Sequence, residues 1–299
     1  MDLSVVVPTL NDRDELCGCL DALAAEGPDE IVVVNGPSTD GTSGMVRERD
    51  DVSVLVEIDE RNVNVARNAG LDRARGDAVA FVNPTLAVEA GWHDAAVEAL
   101  ADADVVTGPT HEQLRAGVAT DTSESRTIRG RTVTYFNGGN AAFDREVLAE
   151  LDGFDEYLET GGARDAAHRI AGLDYAVTWD ADMCVAREAA TDGGMTERNW
   201  RARYHSLAYR MAKNYGIHPT VSLRTVRHAF TDAGSALWDV ARGDAKPTSW
   251  FGNGRDVVIG SVGGYKSGLR ARYADRSPRR NPYGWSTRAD RAVAVYDRR

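Results

Sequence analysis

The chain is poor in lysine, in cysteine and in long apolar runs. Only three of its 35 basic residues are lysines, and its 299 residues include three cysteines, Cys17, Cys19 and Cys184. An odd number of cysteines without metal-site spacing favours reduced thiols in a cytoplasmic protein over disulfides or a zinc site. No stretch approaches about 18 consecutive apolar residues, and no basic segment precedes the first apolar run. We therefore expect neither a membrane-spanning helix nor a secretory signal.

Acidic residues outnumber basic ones, but the two parts of the chain differ in sign. The net charge is −11; residues 1–200 hold 16 basic and 39 acidic groups, whereas residues 201–299 hold 19 and 7. An acidic, lysine-poor and arginine-rich composition is typical of salt-adapted cytoplasmic proteins, such as those of halophilic archaea. The basic part suits an anionic surface such as lipid headgroups, or else it packs against the acidic part. Nucleic acid is not an expected partner.

Short apolar runs alternate with helical patterns through the first half of the chain. The runs cover residues 3–7, 30–34, 52–58, 78–82 and 104–107. This alternation predicts an α/β fold, a mostly parallel twisted sheet with helices on both faces. The polar stretch 111–131 interrupts it as an excursion or lid. A helical pattern and a loop-like run rich in Pro, Gly and Arg then predict a basic, mainly helical extension, so we divide the chain into domains 1–199 and 200–299.

Polar and mostly uncharged residues follow three of the apolar runs. These segments are Pro8-Thr9, Asn35 to Ser38 and Asn83 to Thr85. Carboxyl ends of parallel strands meet at one edge of an open sheet, where ligands bind, so the segments predict a ligand cleft. Ser38 can help to cap a following helix, whose N-terminus would favour an anion. The chain has neither GxxxxGK[ST] nor a GxGxxG after a strand, which argues against a P-loop and a dinucleotide fold. No Gly-rich loop with Lys or Arg follows the first strand, which argues against a nucleotidyltransferase.

Four segments carry a family resemblance. They are "SVVVPTLNDRDELCGCLDAL", "EIVVVNGPSTDGT", "RNVNVARNAGLDRARGDAVAFVNPT" and "NGGNAAFDREVLAELDGFDE". In this order and at these spacings they resemble the inverting glycosyltransferases of family 2, which have the GT-A fold. The likeness covers about residues 1–190. It implies transfer of a hexose from a nucleotide-sugar donor, and "SLAYRMAKNYG" looks like helices of members that act on lipid-linked glycans.

The resemblance implies nucleotide-binding roles along the predicted cleft. Pro8 and Thr9 match the start of the family's nucleotide cleft. Asn35 stands where the family usually has an acid that contacts the nucleobase, and an amide oxygen can still accept a hydrogen bond from an imide N–H. Arg67 and Asn68 match the "ARN" of a helix that faces the nucleotide. The alternative for these two is a solvated helix face.

The resemblance also implies a metal site in which the usual carboxylates are missing. Asn83 and Thr85 occupy the positions of the family's Asp-x-Asp pair, which holds Mg²⁺ or Mn²⁺ against the donor diphosphate. Both cations prefer carboxylate oxygen, so we expect weak binding that depends on the donor diphosphate. Arg187 falls where many relatives carry a histidine near the leaving diphosphate. It is either a phosphate ligand or part of a surface ion pair.

An inverting transfer needs a carboxylate that takes a proton from the acceptor hydroxyl. The family places this acid in a Glu-Asp pair at a helix start, and that pair is absent from "GFDEYLETGGARDAAHRIAGLDY". Asp165 is the first candidate base and Glu159 the second. The alternative for Asp165 is an ordinary first-turn aspartate stabilised by the helix dipole.

Two functional hypotheses follow. The first is a hexosyltransferase that uses a nucleotide sugar and a dolichyl-phosphate-linked glycan acceptor, for cell-surface or protein N-glycosylation. It would be cytoplasmic and peripheral at the cytoplasmic face of the membrane. The second is a non-catalytic relative that binds a nucleotide sugar or scaffolds glycan assembly. The first is favoured because Asp165 remains, and because the altered positions Asn83 and Thr85 keep oxygen ligands.

Overall fold

The computed structural model describes residues 1–114, 117–120, 123–187, 199–218 and 247–299. Contacts divide the chain into two compact units. Unit 1 comprises Met1–Gly193 and Tyr283–Arg299, and unit 2 comprises Gly194–Pro282. The first boundary lies near the predicted one. Residues 283–299, which were predicted to belong to the extension, instead belong to unit 1, because they supply a strand to its sheet.

Unit 1 alternates strands and helices, as the apolar runs predict. Its described strands are β1 (Leu3–Thr9), β2 (Glu30–Asn35), β3 (Val54–Ile58), β4 (Ala78–Val82), β5 (Ala87–Val88), β6 (Val105–Thr107), β7 (Thr110–Leu114), β8 (Gly117–Thr120), β9 (Glu124–Ile128), β10 (Arg131–Tyr135), β11 (Asn140–Asp144), β12 (Val177–Trp179), β13 (Val185–Arg187) and β14 (Ala292–Asp297). Its described helices are α1 (Arg13–Glu26), α2 (Thr42–Arg47), α3 (Val63–Leu71), α4 (Trp92–Leu100), α5 (Arg145–Leu151) and α6 (Gly162–Ile170).

The main sheet has eight strands in the order β12-β6-β11-β4-β1-β2-β3-β14. Strands β4, β1, β2 and β3 are parallel neighbours, as predicted. Strand β12 is parallel to β6, whereas β11 is antiparallel to β4 and β6, and β14 is antiparallel to β3, so the sheet is mixed, with four parallel and three antiparallel pairs. Helices α3, α5 and α6 contribute to the apolar core on one face, and α1, α2 and α4 to the core on the other. Helices on both faces are thus confirmed.

Part of the predicted excursion is β structure. Strands β5, β13, β7 and β8 form a second sheet in that order, and β9 pairs with β10. The β9–β10 connection is Arg129-Gly130, both with positive φ (54° and 77°). A two-residue hairpin turn of this kind matches the right-handed twist of the flanking strands, and glycine reaches positive φ without steric cost.

The C-terminal strand covers the β3 side of the main sheet. Strand β14 runs antiparallel to β3 and satisfies main-chain groups that an open edge would leave unpaired. The fully buried Arg291 just before it contacts Glu156 at 2.5 Å and Asp72 at 3.3 Å. These ion pairs fasten the end of the chain to α3 and to the segment after α5.

Unit 2 contains two described helices, α7 (Trp200–Tyr215) and α8 (Pro247–Ala274). Gly260, Gly264 and Gly268 of α8 lie against the backbone of α7, where an added Cβ would come within 2.1–2.4 Å of a carbonyl oxygen. Only glycine at every fourth position permits so close an approach of the two helices. No helix among the described residues is long and apolar enough to cross a membrane.

Candidate active site

The ends of β1 and β2 meet at one edge of the sheet, and hydrogen bonds join the loops that follow them. Thr9 and Asn35 are register partners at the last position of each strand. The buried Asn35 amide donates to the Ser43 hydroxyl at 2.8 Å and accepts from Ser38 Oγ at 2.6 Å. Ser38 Oγ also accepts from Asn11 N–H at 2.8 Å. Asn35 and Ser38 therefore hold together the two loops that follow β1 and β2.

The helix after β2 is short. Helix α2 has six residues, and its N-cap Gly41 makes no side-chain cap hydrogen bond. Asp40 instead accepts from Thr42 N–H and hydroxyl and from Arg13 N–H. The Thr42 hydroxyl hydrogen bond is the main cause that lowers the pKa of Asp40 below its usual value. Asp40 thus ties the β2 loop to α1, and so short a helix offers little dipole to an anion.

The end of β4 presents neutral oxygen atoms at the same edge. The exposed Asn83 accepts through Oδ1 from Thr85 N–H at 3.0 Å and from Thr85 Oγ1 at 2.9 Å. The two predicted metal ligands are therefore adjacent and hydrogen-bonded to each other, and they carry no charge. This donor set fits a hard divalent cation whose charge is balanced mainly by a bound diphosphate.

A Gly-Gly turn holds the end of β4 against neighbouring elements. An added Cβ on Gly139 would lie 2.6 Å from Asn83 Cβ, and one on Gly138 would lie 2.7 Å from Ala163 Cβ and 2.9 Å from Arg67 Nη2. Real Cβ atoms do not approach so closely, so both positions require glycine. The turn places Asn83 on one side and the start of α6 on the other.

Arg67 is a buried cation beside this turn. Its Nη1 donates to Asn64 Oδ1 at 3.1 Å and its Nη2 to Gly138 C=O at 2.7 Å, while the guanidinium lies 4.9 Å from the Phe154 ring centroid. Burial lowers the pKa of Arg67 to about 10. Its Nε has no hydrogen-bond partner among the described residues. Arg67 therefore positions the Gly138 turn and is not on a solvated helix face.

Asn68 holds the loop that follows α5. Its amide donates to Phe154 C=O at 2.9 Å and to Glu156 Oε1 at 2.7 Å, and its Oδ1 accepts from Phe154 N–H. The side chain is fully buried. The prediction that Asn68 faces the nucleotide is corrected: its polar atoms are used by this loop.

The first candidate base is enclosed in the core. Asp165 Oδ2 lies 2.8 Å from Arg169 Nε, and neither side chain is exposed to solvent. Arg169 also donates to Leu151 C=O and Gly153 C=O. A general base must come within hydrogen-bond distance of the acceptor hydroxyl, which a carboxylate inside a buried ion pair does not. The structure thus corrects the assignment of Asp165, whose geometry is that of a structural carboxylate.

The second candidate base lies in the open. Glu159 is exposed, two residues before the α6 N-cap Gly161, and makes no hydrogen bond or ion pair within the described part of the chain. The preceding Leu158 C=O accepts from Asn64 Nδ2 at 2.6 Å, which fixes the backbone beside Arg67. Helix α6 begins with Gly162, where an added Cβ would lie 2.1 Å from Asn64 Oδ1, so this position requires glycine.

Arg187 and Glu112 form a surface ion pair on the second sheet. Nη1 and Oε1 are 2.8 Å apart, and each side chain is 44% exposed. This geometry supports the surface-pair interpretation of Arg187 and not a phosphate ligand. Such a pair contributes about 0–1 kcal/mol.

The C-terminus supports this site, which no pattern in the sequence predicts. Tyr283 C=O accepts from Glu156 N–H at 3.0 Å, and Arg288 bridges Glu156 and Glu60 at 2.8 and 2.5 Å. These partners are far apart in sequence, and no local pattern predicts their pairing. The loop that carries Glu159 is therefore held partly by the last residues of the chain.

The protein has a GT-A-like α/β fold. Its mixed sheet carries polar residues at the strand ends and helices on both faces, and a helical C-terminal region follows. The structure is similar to that of a mannosyltransferase from Pyrobaculum calidifontis in complex with GDP-Man and Mn²⁺, with a TM-score of 0.58 and 22% identity, over 88% of this chain and 86% of that one. It is also similar to TarS 1–349 from S. aureus, with a TM-score of 0.61 and 16% identity, over 95% and 89% of the two chains.

The chain belongs to glycosyl transferase family 2, whose profile matches residues 4–152. It is 23% identical to glycosyltransferase AglE of Haloferax volcanii over 67% of this chain and 71% of that protein. It is 24% identical to a pre-mycofactocin glycosyltransferase of Mycobacterium tuberculosis over 68% and 45% of the two chains. The family assignment confirms the resemblance seen in the sequence and makes the chain a glycosyltransferase.

Proposed function

We propose that this glycosyltransferase transfers a hexose, with inversion, from a nucleotide sugar to a dolichyl-phosphate-linked glycan acceptor in cell-surface or protein N-glycosylation. The observation that carries the proposal is the juxtaposition of the strand-end cleft with an exposed carboxylate. Thr9, Asn35 and Asn83 end neighbouring strands, and Glu159 lies in the loop fixed by Asn64 beside the Gly138-Gly139 turn.

The donor is held by the strand ends. The loops around Asn35 and Ser38 form a rigid floor for the nucleoside, and Pro8 and Thr9 begin the cleft. Asn83 Oδ1 and Thr85 Oγ1 would complete the coordination of Mg²⁺ or Mn²⁺ bound with the donor diphosphate. That cation would offset charge on the leaving group. Mn²⁺ is present beside the nucleotide sugar in the structure of the Pyrobaculum calidifontis mannosyltransferase, which is consistent with this assignment.

The acceptor is activated by Glu159. This carboxylate takes the proton from the acceptor hydroxyl while the hydroxyl oxygen attacks C1 of the sugar and the bond from C1 to the diphosphate oxygen breaks. Attack opposite the leaving group inverts the anomeric configuration. Glu159 is suited to this role because it is exposed and has no internal partner within the described residues.

The lipid-linked acceptor is supported by unit 2. Helix α8 exposes Val258, Ile259 and Val262, and Lys266 and Arg270 follow on the same exposed stripe. The glycines at positions 260, 264 and 268 lie on the opposite side, against α7. An apolar stripe continued by basic residues suits the headgroup region of an anionic membrane. We therefore propose peripheral binding at the cytoplasmic face, in the cytoplasm of a salt-adapted cell.

A transfer assay tests the proposal. The full-length chain at high salt is given UDP-, GDP- and dTDP-sugars with dolichyl-phosphate-linked acceptors, with Mn²⁺ and with a chelator. We expect an inverted product from one donor class and loss of transfer without the cation. Nucleotide binding without turnover across the whole panel would favour the scaffold hypothesis, and a product of retained configuration would contradict the mechanism.

A further inference from the structure

Three metal-ligating side chains other than Asn83 and Thr85 meet on the second sheet. They are Glu89, His111 and Cys184, and one ligand atom from each lies within 4.8 Å of the others. All three are partly exposed. Of the groups of His, Cys, Asp and Glu in the described residues, this is the one with the spacing of a metal site.

The sheet hydrogen bonds set this arrangement. Strand β13 lies between β5 and β7, pairing Val185 with Val88 on one side and Ala186 with His111 on the other. Glu89 N–H donates to Cys184 C=O at 3.0 Å, just beyond the β5–β13 pairing. Because alternate residues of a strand share a face, Cys184, Ala186 and the neighbouring His111 lie on one side of the sheet. The three ligands are thus carried by rigid main chain.

The ligand set is that of a borderline divalent cation. Thiolate, imidazole and carboxylate are the donors that Zn²⁺ takes, at about 2.0–2.3 Å, so tetrahedral neighbours are about 3.3–3.8 Å apart. His111 Nδ1 and Glu89 Oε1 are already 2.9 Å apart. Mg²⁺ and Mn²⁺, by contrast, prefer oxygen ligands throughout.

We propose that Glu89, His111 and Cys184 bind one zinc-class divalent cation, with water at the fourth position. On binding, the Cys184 thiol gives its proton to solvent, and the imidazole binds as the neutral ring. The site is separate from the donor metal. It would join β5, which follows the Asn83 turn, to β7 and β13, and so brace the second sheet.

The simpler alternative is an ion pair with a thiol beside it. Without a cation, His111 and Glu89 form a hydrogen-bonded pair, and Cys184 Sγ donates to Ala181 C=O at 2.9 Å. In that case Cys184 and His111 act independently. Zinc binding would then depend on neither of them.

Zinc titration distinguishes the zinc site from the ion-pair alternative. It uses the metal-free full-length chain with neither donor nor acceptor present. We expect one tightly bound Zn²⁺ per chain and a rise in Tm on the order of 5 °C at a hundredfold excess over Kd. Cys184→Ser and His111→Gln should each weaken binding by more than about 100-fold, since even outer partners of metal ligands contribute about 10- to 100-fold.

Cys17→Ser is the matched control. Cys17 lies on α1, and its sulfur contacts Arg49, which is not a metal-ligating residue. It should bind zinc like the wild type. Glu89→Gln provides a third ligand variant if one of the others does not fold. Absence of saturable zinc binding by the wild type, or wild-type affinity in Cys184→Ser, would overturn the proposal. Because no transfer is measured, the outcome is independent of the glycosyltransferase assay.

Discussion

The two candidate bases, Asp165 and Glu159, have opposite surroundings. Asp165 is enclosed with Arg169, whereas Glu159 is open to solvent. The difference follows from the helix: Asp165 and Arg169 are four residues apart and share one face of α6, which packs on the core. That spacing is visible in the sequence and could have identified Asp165 as a structural residue. The resemblance favoured Asp165, which the structure places in a buried ion pair.

Replacing Asp165 should destabilise the fold. Asp165→Asn leaves the buried Arg169 guanidinium without its counter-charge, and breaking a buried ion pair from one side costs about 3–5 kcal/mol. The measurement is the free energy of unfolding from denaturant titration at high salt. Arg187→Gln is the control, because it breaks an exposed pair worth about 0–1 kcal/mol. Equal effects of the two substitutions would show that the Asp165–Arg169 pair is not buried.

At the scale of elements, the turn between β10 and β11 and the C-terminal strand decide the geometry of the site. The apolar runs predicted β1 to β4 because buried parallel strands are continuously apolar. They did not predict β11 as an antiparallel insertion or β14 as a partner of β3. Strand β14 begins with the apolar residues Ala292–Tyr296, but its side chains are exposed or partly exposed, and its pairing with β3 joins distant parts of the chain. Long-range pairing of this kind leaves no local pattern.

Substitution at the Gly-Gly turn should affect the site through Asn83. In Gly139→Ala the new methyl group would press on Asn83 Cβ, which lies 2.6 Å from the ideal Cβ position. We expect a loss of about 1–3 kcal/mol in stability, typical of overpacking, together with weaker donor binding. Kd for the nucleotide sugar and the free energy of unfolding are both measured.

Gly18→Ala is the control for this substitution. Gly18 lies inside α1, and nothing is within 4 Å of its ideal Cβ. A helical Gly→Ala change there should stabilise the fold by about 0.5–1 kcal/mol and leave donor affinity unchanged. Unaltered donor affinity in Gly139→Ala would mean that Asn83 does not contact the donor.

The C-terminal residues should stabilise the active-site loop. Arg291→Gln removes the buried partner of Glu156 and Asp72, and we expect a loss of about 3 kcal/mol together with lower transfer activity. The control is Arg276→Gln, since Arg276 is exposed and contacts the Tyr273 ring. Thermal unfolding and initial transfer rates are compared. If Arg291→Gln has the same unfolding temperature and transfer rate as the control, the C-terminus does not support the active-site loop.

At the scale of the whole molecule, charge is distributed unevenly along the chain. Unit 1 contains most of the acidic first part, and the basic excess lies after residue 200. Sequence predicted this asymmetry and the helical nature of the extension, because both follow from composition and periodicity. It did not predict that the chain returns to unit 1 after unit 2, since that depends on the pairing of β14 with β3.

Membrane binding should depend on the exposed stripe of α8. Deleting the basic part would also remove β14, so substitution is the cleaner test. Lys266→Gln with Arg270→Gln should weaken binding to phosphatidylglycerol vesicles at low salt by roughly 10-fold or more, at about 1 kcal/mol per basic residue. Neutral phosphatidylcholine vesicles are the control surface. Equal binding of wild type and variant to anionic vesicles would refute docking through this stripe.

The most direct test of the catalytic assignment is the turnover number of Glu159→Gln, measured at saturating donor and acceptor. Loss of the base should lower kcat by about 100-fold or more while the nucleotide-sugar Kd stays unchanged. Folded Asp165→Asn, assayed at a temperature below its Tm, should keep a kcat within a few-fold of wild type. Wild-type turnover in Glu159→Gln would contradict the account, and so would a specific loss of turnover in folded Asp165→Asn.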